Sequence, residues 1–168
     1  MSHPLVLGLF DAPSAAAAAA RALRSSGIPQ TRVSIVARSH EEEGTLARAS
    51  GASPGSELED SRPASRLGEL SGHLLATIAL VMPGIGPIVA DGPLAAGLGE
   101  AAGHLAGGIA RMLHGAGLAQ AEAEDWESRI EVGAVLVGAH VEVSNAASAL
   151  DLLQRNGASA VAEATWQD

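Results

Sequence analysis

Three residue types with distinctive chemistry are missing from this chain of 168 residues: cysteine, lysine and tyrosine. The absence of cysteine excludes disulfides, thiolate zinc sites, iron–sulfur clusters and thiol nucleophiles. The absence of lysine excludes a Schiff base and the phosphate-binding lysine of a P-loop. Aromatic residues are scarce, since only Phe10, Trp126 and Trp166 are present. The apolar part of the chain, which is 47% hydrophobic, is therefore built from alanine, glycine, leucine and valine instead of rings, and the small side chains among them favour close backbone packing.

Negative charge predominates, because ten arginines face nineteen carboxylates and leave a net charge of -9. Nucleic-acid affinity comes mostly from cations that meet phosphates and from rings that stack on bases. We therefore expect no nucleic-acid binding. The start of the chain carries no basic leader and no small-residue cleavage site, so nothing marks it for export and we predict a cytoplasmic location.

The first and last thirds of the chain each have the pattern of a strand, a helix and a second strand. Residues 5–10 and 33–37 are predicted strands on either side of an alanine-rich helix at 15–24. Residues 133–143 and 160–166 are predicted strands on either side of a helix at 146–155, with Asn145 as its cap. This predicts an α+β fold with a ferredoxin-like split βαβ core, residues 1–38 and 133–168, with both helices on one face of a four-stranded antiparallel sheet.

Between the two units lies an insertion much longer than the usual connection of about 2 to 6 residues. Residues 39–63 are rich in serine, glycine, proline and glutamate, which predicts a flexible acidic linker. Residues 64–132 become apolar and are predicted to form a Gly/Ala-rich helical hairpin with a return helix. We place its helices at 66–81 and 93–114 and the return helix at 119–130, with Trp126 as an anchor.

The insertion also contains 21 consecutive residues without formal charge, 70–90. About 20 apolar residues are enough to span a bilayer. However, Pro83 and Pro87 would break a helix there, and the segment that follows carries Glu100 and Arg111. We therefore prefer a water-soluble hairpin, with insertion into a membrane surface as the alternative.

Four motifs follow one another in an order that resembles the bacterial general-stress and low-temperature-induced protein family. They are MPGIGP at 82–87, GPLAA at 92–96, AEAE at 121–124 and GAVLV at 133–137, and the resemblance extends from residue 5 to about residue 157. It implies a small soluble bacterial protein associated with stress, and it brings no established reaction or catalytic residue. Members of that family usually fill the hairpin with glycine, alanine and leucine, so the charged and imidazole groups considered next depart from the family pattern.

An internal repeat marks the predicted hairpin. The sequences LGELSGHL at 67–74 and LGEAAGHL at 98–105 share six of eight residues at an offset of 31. Each copy places a glutamate and a histidine four residues apart, and two glycines four apart on the neighbouring helix face. A glycine inside a helix costs about 0.5–1 kcal/mol relative to alanine, so this pattern predicts a closely packed partner. We expect self-association through the hairpin, most simply as a homodimer.

Counting outward from the loop of an antiparallel hairpin brings Glu69, His73, Glu100 and His104 to similar levels. Imidazole and carboxylate are ligands for Zn, Fe or Mn, so these four residues are the predicted metal ligands. Helical-bundle metal carboxylate proteins use Glu-x-x-His, one residue shorter. Two alternatives stay open: a structural network that pairs Glu100 with His73 and Glu69 with His104, and an anionic or organic ligand.

The other histidines carry less information. His140 falls in a predicted strand and is expected to be structural. His114 lies near a helix end, where a partial positive charge suits the helix dipole. His3 and His40 are placed in mobile regions.

The repeat predicts a non-enzymatic protein that self-associates through the hairpin and binds a divalent metal ion at the four repeated residues, and the family resemblance implies that it is a stress-associated bacterial protein. A metal-dependent oxidoreductase that uses the same residues around an open coordination position is the alternative from another class. A protein whose hairpin inserts into a membrane surface is the third. No catalytic residue and no organic cofactor is assigned.

Overall fold

A computed structural model describes residues 2–38, 78–82, 86–91, 93–94 and 108–167 of the chain. In chain order the elements are β1 (Ser2–Phe10), α1 (Pro13–Ser25), β2 (Val33–Arg38), β3 (Ile78–Met82), β4 (Gly86–Asp91), α2 (Gly108–Gly115), α3 (Gln120–Glu131), β5 (Val135–His140), α4 (Ala146–Arg155) and β6 (Ala160–Gln167). Short 3-10 turns, Gln30–Arg32 and Val143–Asn145, precede β2 and α4. The mixed helix and strand content confirms the α+β class expected from the sequence.

The six described strands form one sheet in the order β3-β4-β2-β5-β1-β6. Every neighbouring pair is antiparallel. The pair formed by β1 and β5 aligns Leu5 with His140 and Leu9 with Leu136. Since residues that face each other across an antiparallel pair lie on the same face, this register fixes which side chains share each face of the sheet.

Helices cover both faces of the sheet. On one face, α1 and α4 pack over a core that contains Val6, Phe10, Ile35 and Val137, which confirms that these two helices share a face. Alanine lines the buried side of α1, so the helix lies close to the strands. On the opposite face, α2 and α3 pack over the odd-numbered leucines of β1, and Trp126 of α3 is fully buried there. The return helix and its tryptophan anchor are therefore confirmed.

All four described helices end in the same way. Each is followed by a glycine with positive φ, a conformation that glycine adopts without steric cost, and the next amide bonds to the carbonyl five residues earlier. These amides are Ile28, Leu118, Ala134 and Ala158, after glycines 27, 117, 133 and 157. The Schellman ends turn the chain sharply, so the following strand or helix can begin within a few residues.

The predicted helix at 66–81 is wrong at its carboxyl end, where Ile78–Met82 is strand β3. Strand β4 follows after three residues and pairs with both β3 and β2, so the MPGIGP motif connects a β-hairpin. A short apolar run has no periodicity that distinguishes a buried strand from a helix, and the prolines that end a helix also punctuate a hairpin. The sheet consequently has six described strands where we predicted four.

The predicted second helix, 93–114, is described only in part. Helix α2 begins at Gly108 and ends at Gly115, and Pro93 and Leu94 are also described. The rest of that segment, the predicted linker at 39–63, and residues 66–77 of the first predicted helix lie outside the described residues. The β3–β4 hairpin is continuous with the sheet of the core, so this part of the insertion does not form a separate helical unit.

Strand β1 begins three residues earlier than predicted and includes Pro4. The carbonyl of Pro4 points toward the β5 side, where it accepts a hydrogen bond from Val141 N–H at 3.0 Å. The nitrogen of a residue in a strand points to the same side as its carbonyl, so the missing N–H removes no bond to β6. His3 therefore lies in a paired strand, and its expected place in a mobile region is wrong.

Candidate functional site

The four predicted metal ligands, Glu69, His73, Glu100 and His104, lie outside the described residues. The structure does describe the strands to which the two repeat copies are connected. In the β3–β4 hairpin, Ile78 pairs with Ala90 and Met82 with Gly86. The chain therefore enters β3 and leaves β4 at the same end of the hairpin. Residues 75–77 join the first copy to that end, and residues 92–97 join the second copy to it.

Leu94 fixes the beginning of the connection between β4 and α2. It is fully buried, and its amide donates to the hydroxyl of Ser34 on β2 at 3.1 Å. Its side chain lies over Gly138 of β5, where an added Cβ would be only 2.9 Å from Leu94 Cδ1. The missing side chain at Gly138 therefore provides the space in which Leu94 contacts the sheet.

Glu127 of α3 fixes the other end of that connection. Its Oε2 accepts a hydrogen bond from the Ala110 amide at 2.8 Å, in the first turn of α2. A carboxylate at this position satisfies one of the helix's initial N–H groups and interacts favourably with its positive end. Because Leu94 and Ile109 both belong to the core under α2 and α3, the second repeat copy is connected to the same face of the sheet at both of its ends.

Two histidines that lie far apart in the sequence meet on this face of the sheet. Nε2 of His3 lies 2.6 Å from Nδ1 of His140, with the ring centroids 4.8 Å apart and the planes tilted by 54°. His140 is 4% exposed, in agreement with a structural histidine, while His3 is half-buried. The ring of Trp166 contacts His140 edge-on at a centroid distance of 5.3 Å.

Sequence reasoning missed this pair because it placed the start of β1 after His3. The signal that could have found it is the alternation His3, Leu5, Leu7, Leu9, which places His3 on the same face as three core leucines. The β1–β6 register also pairs His3 with Trp166. The β1–β5 partner of His140 is Leu5, two residues from His3 on the same face.

A cleft of about 220 Å³ lies on the other face, where β5 ends between α1 and α4. Arg32 and Glu142 line it and form an ion pair, with Nη1 and Oε1 3.2 Å apart and both side chains at least half exposed. Asn145 precedes α4 as predicted but makes no capping hydrogen bond through its side chain, because its backbone is already helical in the 3-10 turn. Ser26 is another lining residue, and its hydroxyl donates to the Leu23 carbonyl. These groups could hydrogen-bond a small polar molecule.

Within the described ranges, no group of three or more histidine, aspartate or glutamate side chains is arranged to hold a metal ion. In the same part of the chain, no helix is long and apolar enough to cross a membrane. Comparison with protein-family models, curated proteins and solved structures finds no match to this chain.

Proposed function

We propose that this protein is a non-enzymatic, self-associating metal-binding protein in which Glu69, His73, Glu100 and His104 hold one divalent ion of the Zn, Fe or Mn class. The observation that supports the proposal is the register of the β3–β4 hairpin. Since Ile78 pairs with Ala90, the two repeat copies are connected to one end of one hairpin, although their sequences are 31 residues apart.

The fixed ends of the second copy add support. Leu94 is held against β2 and β5, and the start of α2 is held by Glu127, so residues 95–107 connect two points over the same face of the sheet. This limits how far Glu100 and His104 can lie from the end of the β3–β4 hairpin at which the chain enters β3 and leaves β4. A short tether of this kind reduces the conformational entropy lost when ligands from two copies bind one ion.

A helical rise of about 1.5 Å per residue on both sides of the loop would place the four side chains at similar levels. Residues 78–82 and 86–91 are strands, however, which rise about 3.3 Å per residue. Helical spacing therefore does not bring the four residues together, whereas the shared attachment of the two copies supports a common site.

Chemically, the four side chains supply two carboxylates and two imidazoles, a set that suits Zn, Fe and Mn. Bound metal requires neutral imidazoles, so acid weakens binding. The ion would neutralise two glutamates in a chain whose net charge is already -9. If no metal binds, the same groups form the structural network of two Glu–His pairs.

Metal analysis of protein purified without a histidine tag tests the proposal. We expect a stoichiometric Zn, Fe or Mn ion in the wild type, and its loss in Glu69→Ala/His104→Ala. The matched control is Glu163→Ala/His114→Ala, which removes one exposed glutamate and one exposed histidine elsewhere and should retain the ion. Absence of stoichiometric metal, or equal metal content in both double variants, would leave only the structural network.

Self-association is tested separately by light scattering coupled to gel filtration. The wild type is expected to be a dimer, and Gly72→Leu/Gly103→Leu is expected to be monomeric, because bulky side chains prevent close approach along a glycine-lined face. Circular dichroism verifies that the variant is folded. A monomeric wild type would contradict this part of the proposal.

We also propose that the four strands β2, β5, β1 and β6, with α1 and α4, form a ferredoxin-like core. Their order in the sheet, their antiparallel pairing and the shared face of the two helices support this arrangement. The association with bacterial stress and the cytoplasmic location rest on the sequence alone. Transcript and protein levels after cold or heat exposure in the source organism, with cell fractionation, test both.

A further inference from the structure

Strands β1 and β5 bring two imidazole rings together head to head. His3 Nε2 and His140 Nδ1 are 2.6 Å apart, and the 4.8 Å between the ring centroids means that each nitrogen points almost directly at the other. In the metal-free protein one of these nitrogens carries the shared proton and the other accepts it. Both nitrogens are also good ligands for transition metals once they are unprotonated.

We propose that His3 and His140 form a transition-metal site of their own, selective for an ion with tetragonal geometry such as Cu²⁺ or Ni²⁺. The ion displaces the shared proton and binds the two nitrogens as adjacent ligands at about 90°, which requires one ring to turn out of the head-to-head alignment. Water fills the remaining coordination positions from the side of His3, which is the more exposed ring. This site uses none of the residues assigned to the Zn, Fe or Mn ion above.

The distance between the nitrogens favours this geometry. With metal–nitrogen bonds of about 2.0 Å, two adjacent ligands at 90° are about 2.8 Å apart, whereas tetrahedral ligands are about 3.3 Å apart. The observed 2.6 Å needs to lengthen by about 0.2 Å in the first case and by about 0.7 Å in the second. Copper(II) also binds nitrogen sites more strongly than the other divalent ions of its row.

The surroundings determine which ring moves. His140 is 4% exposed and belongs to a strand paired on both sides, so its imidazole is held by the core. His3 lies near the start of β1 and is half-buried, so its ring is the one that we expect to turn when the ion binds. While the His3 ring turns, the hydrogen bond from Val141 N–H to the Pro4 carbonyl keeps the start of β1 beside the end of β5.

Trp166 supplies a built-in reporter. Its ring lies edge-on to His140 at 5.3 Å, so a paramagnetic Cu²⁺ ion between the histidines would quench its fluorescence. Trp126 lies in α3 and is fully buried, and it provides the background emission. The Trp166→Phe variant isolates that background.

The test is a titration with Cu²⁺ of protein purified without a tag, read by equilibrium dialysis and by fluorescence. His3→Ala is expected to weaken copper binding by at least about tenfold and to abolish the quenching that depends on Trp166. His140→Gln should have the same effect, and circular dichroism verifies that each variant is folded. His114→Ala removes an exposed imidazole at the end of α2 and should bind copper as the wild type does.

Repeating the titration in Glu69→Ala/His104→Ala distinguishes this site from the one proposed above. Copper binding and quenching should persist in that background and disappear when His3→Ala is added. Unchanged binding in His3→Ala, or equal loss in His114→Ala, would overturn the His3–His140 site. Because the titration is repeated in a background that lacks one proposed ligand from each repeat copy, its outcome is distinguishable from the fate of the Zn, Fe or Mn site.

Discussion

Gly138 of β5 leaves the space in which the chain segment after β4 packs on the sheet. A Cβ there would lie 2.9 Å from Leu94 Cδ1 and 3.2 Å from Leu7 Cδ2, both closer than ordinary contact. The Leu94 amide is also bonded to Ser34, so the leucine cannot move away without disturbing a buried hydrogen bond. Whether the segment that leads to the second repeat copy can pack on the sheet therefore depends on the absence of a side chain at position 138.

Gly138→Ala is expected to lower the free energy of unfolding by about 1–3 kcal/mol, the usual cost of overpacking a core. Gly115→Ala is the matched control, because a Cβ at Gly115 meets nothing within 4 Å and its φ is not positive. That control should be neutral or stabilising by up to about 1 kcal/mol. Urea unfolding measures both, and equal effects would mean that Leu94 does not pack on Gly138.

His3 and His140 show how much of a side chain's environment can be predicted from the sequence. His140 could be placed in a strand and expected to be structural, because β-branched and aliphatic neighbours define that strand, although the sequence left open which face it occupies. Its partner could not be assigned, because Pro4 suggests a break before the first strand and the pairing depends on strand register. The nitrogen of Pro4 points away from β6, so its missing N–H removes no hydrogen bond to that strand. Only the order of the strands in the sheet shows this.

Among the secondary-structure elements, the β3–β4 hairpin is the one that the sequence pattern does not identify. Residues 78–82 are uniformly apolar, so neither a period of two nor one of 3.6 is visible. By contrast, α4 was predicted with both of its ends, since Asn145, Asn156 and Gly157 flank a clear helical pattern. Elements flanked by polar residues and glycine were predictable, while a uniformly apolar strand could be identified only from its pairing in the sheet.

The chain has no cysteine, so a pair of introduced cysteines tests the hairpin directly. Ala37 faces Val89 across β2 and β4, and paired residues in antiparallel strands have Cα atoms about 4.5–5.5 Å apart, within the range of a disulfide. Ala37→Cys/Val89→Cys should oxidise to an intramolecular disulfide. Ala37→Cys/Ile88→Cys, one residue out of register, should stay reduced because its side chains lie on opposite faces. Peptide mapping by mass spectrometry decides, and the opposite pattern would contradict the register.

The contact between α3 and α2 is a second test at this scale. Glu127→Ala removes the acceptor of the Ala110 amide and should lower the free energy of unfolding by about 1–2 kcal/mol, as loss of a helix cap does. Asp125→Ala, exposed on the same helix, should change it by less than about 0.5 kcal/mol. Thermal unfolding followed by circular dichroism compares the two. If both variants unfold alike, Glu127 does not cap α2.

At the scale of the whole molecule, two cores share one sheet. The core under α1 and α4 joins the first and last thirds of the chain, as the sequence predicted. The core under α2 and α3 includes Leu94 and Ile109, so the described ends of the insertion are part of the folded unit. Variants that lose packing near the four predicted metal ligands should therefore have a lower free energy of unfolding as well as a lower metal content.

Metal stoichiometry, measured one copy at a time, tests the central proposal most directly. If the ligands of one ion come from both copies, Glu69→Ala/His73→Ala and Glu100→Ala/His104→Ala should each remove all of the Zn, Fe or Mn from protein purified without a tag. If each copy binds its own ion, each double variant should keep half of the wild-type metal. Full loss in both variants is the result that we predict, and half retention or unchanged content would contradict a site shared between the two copies.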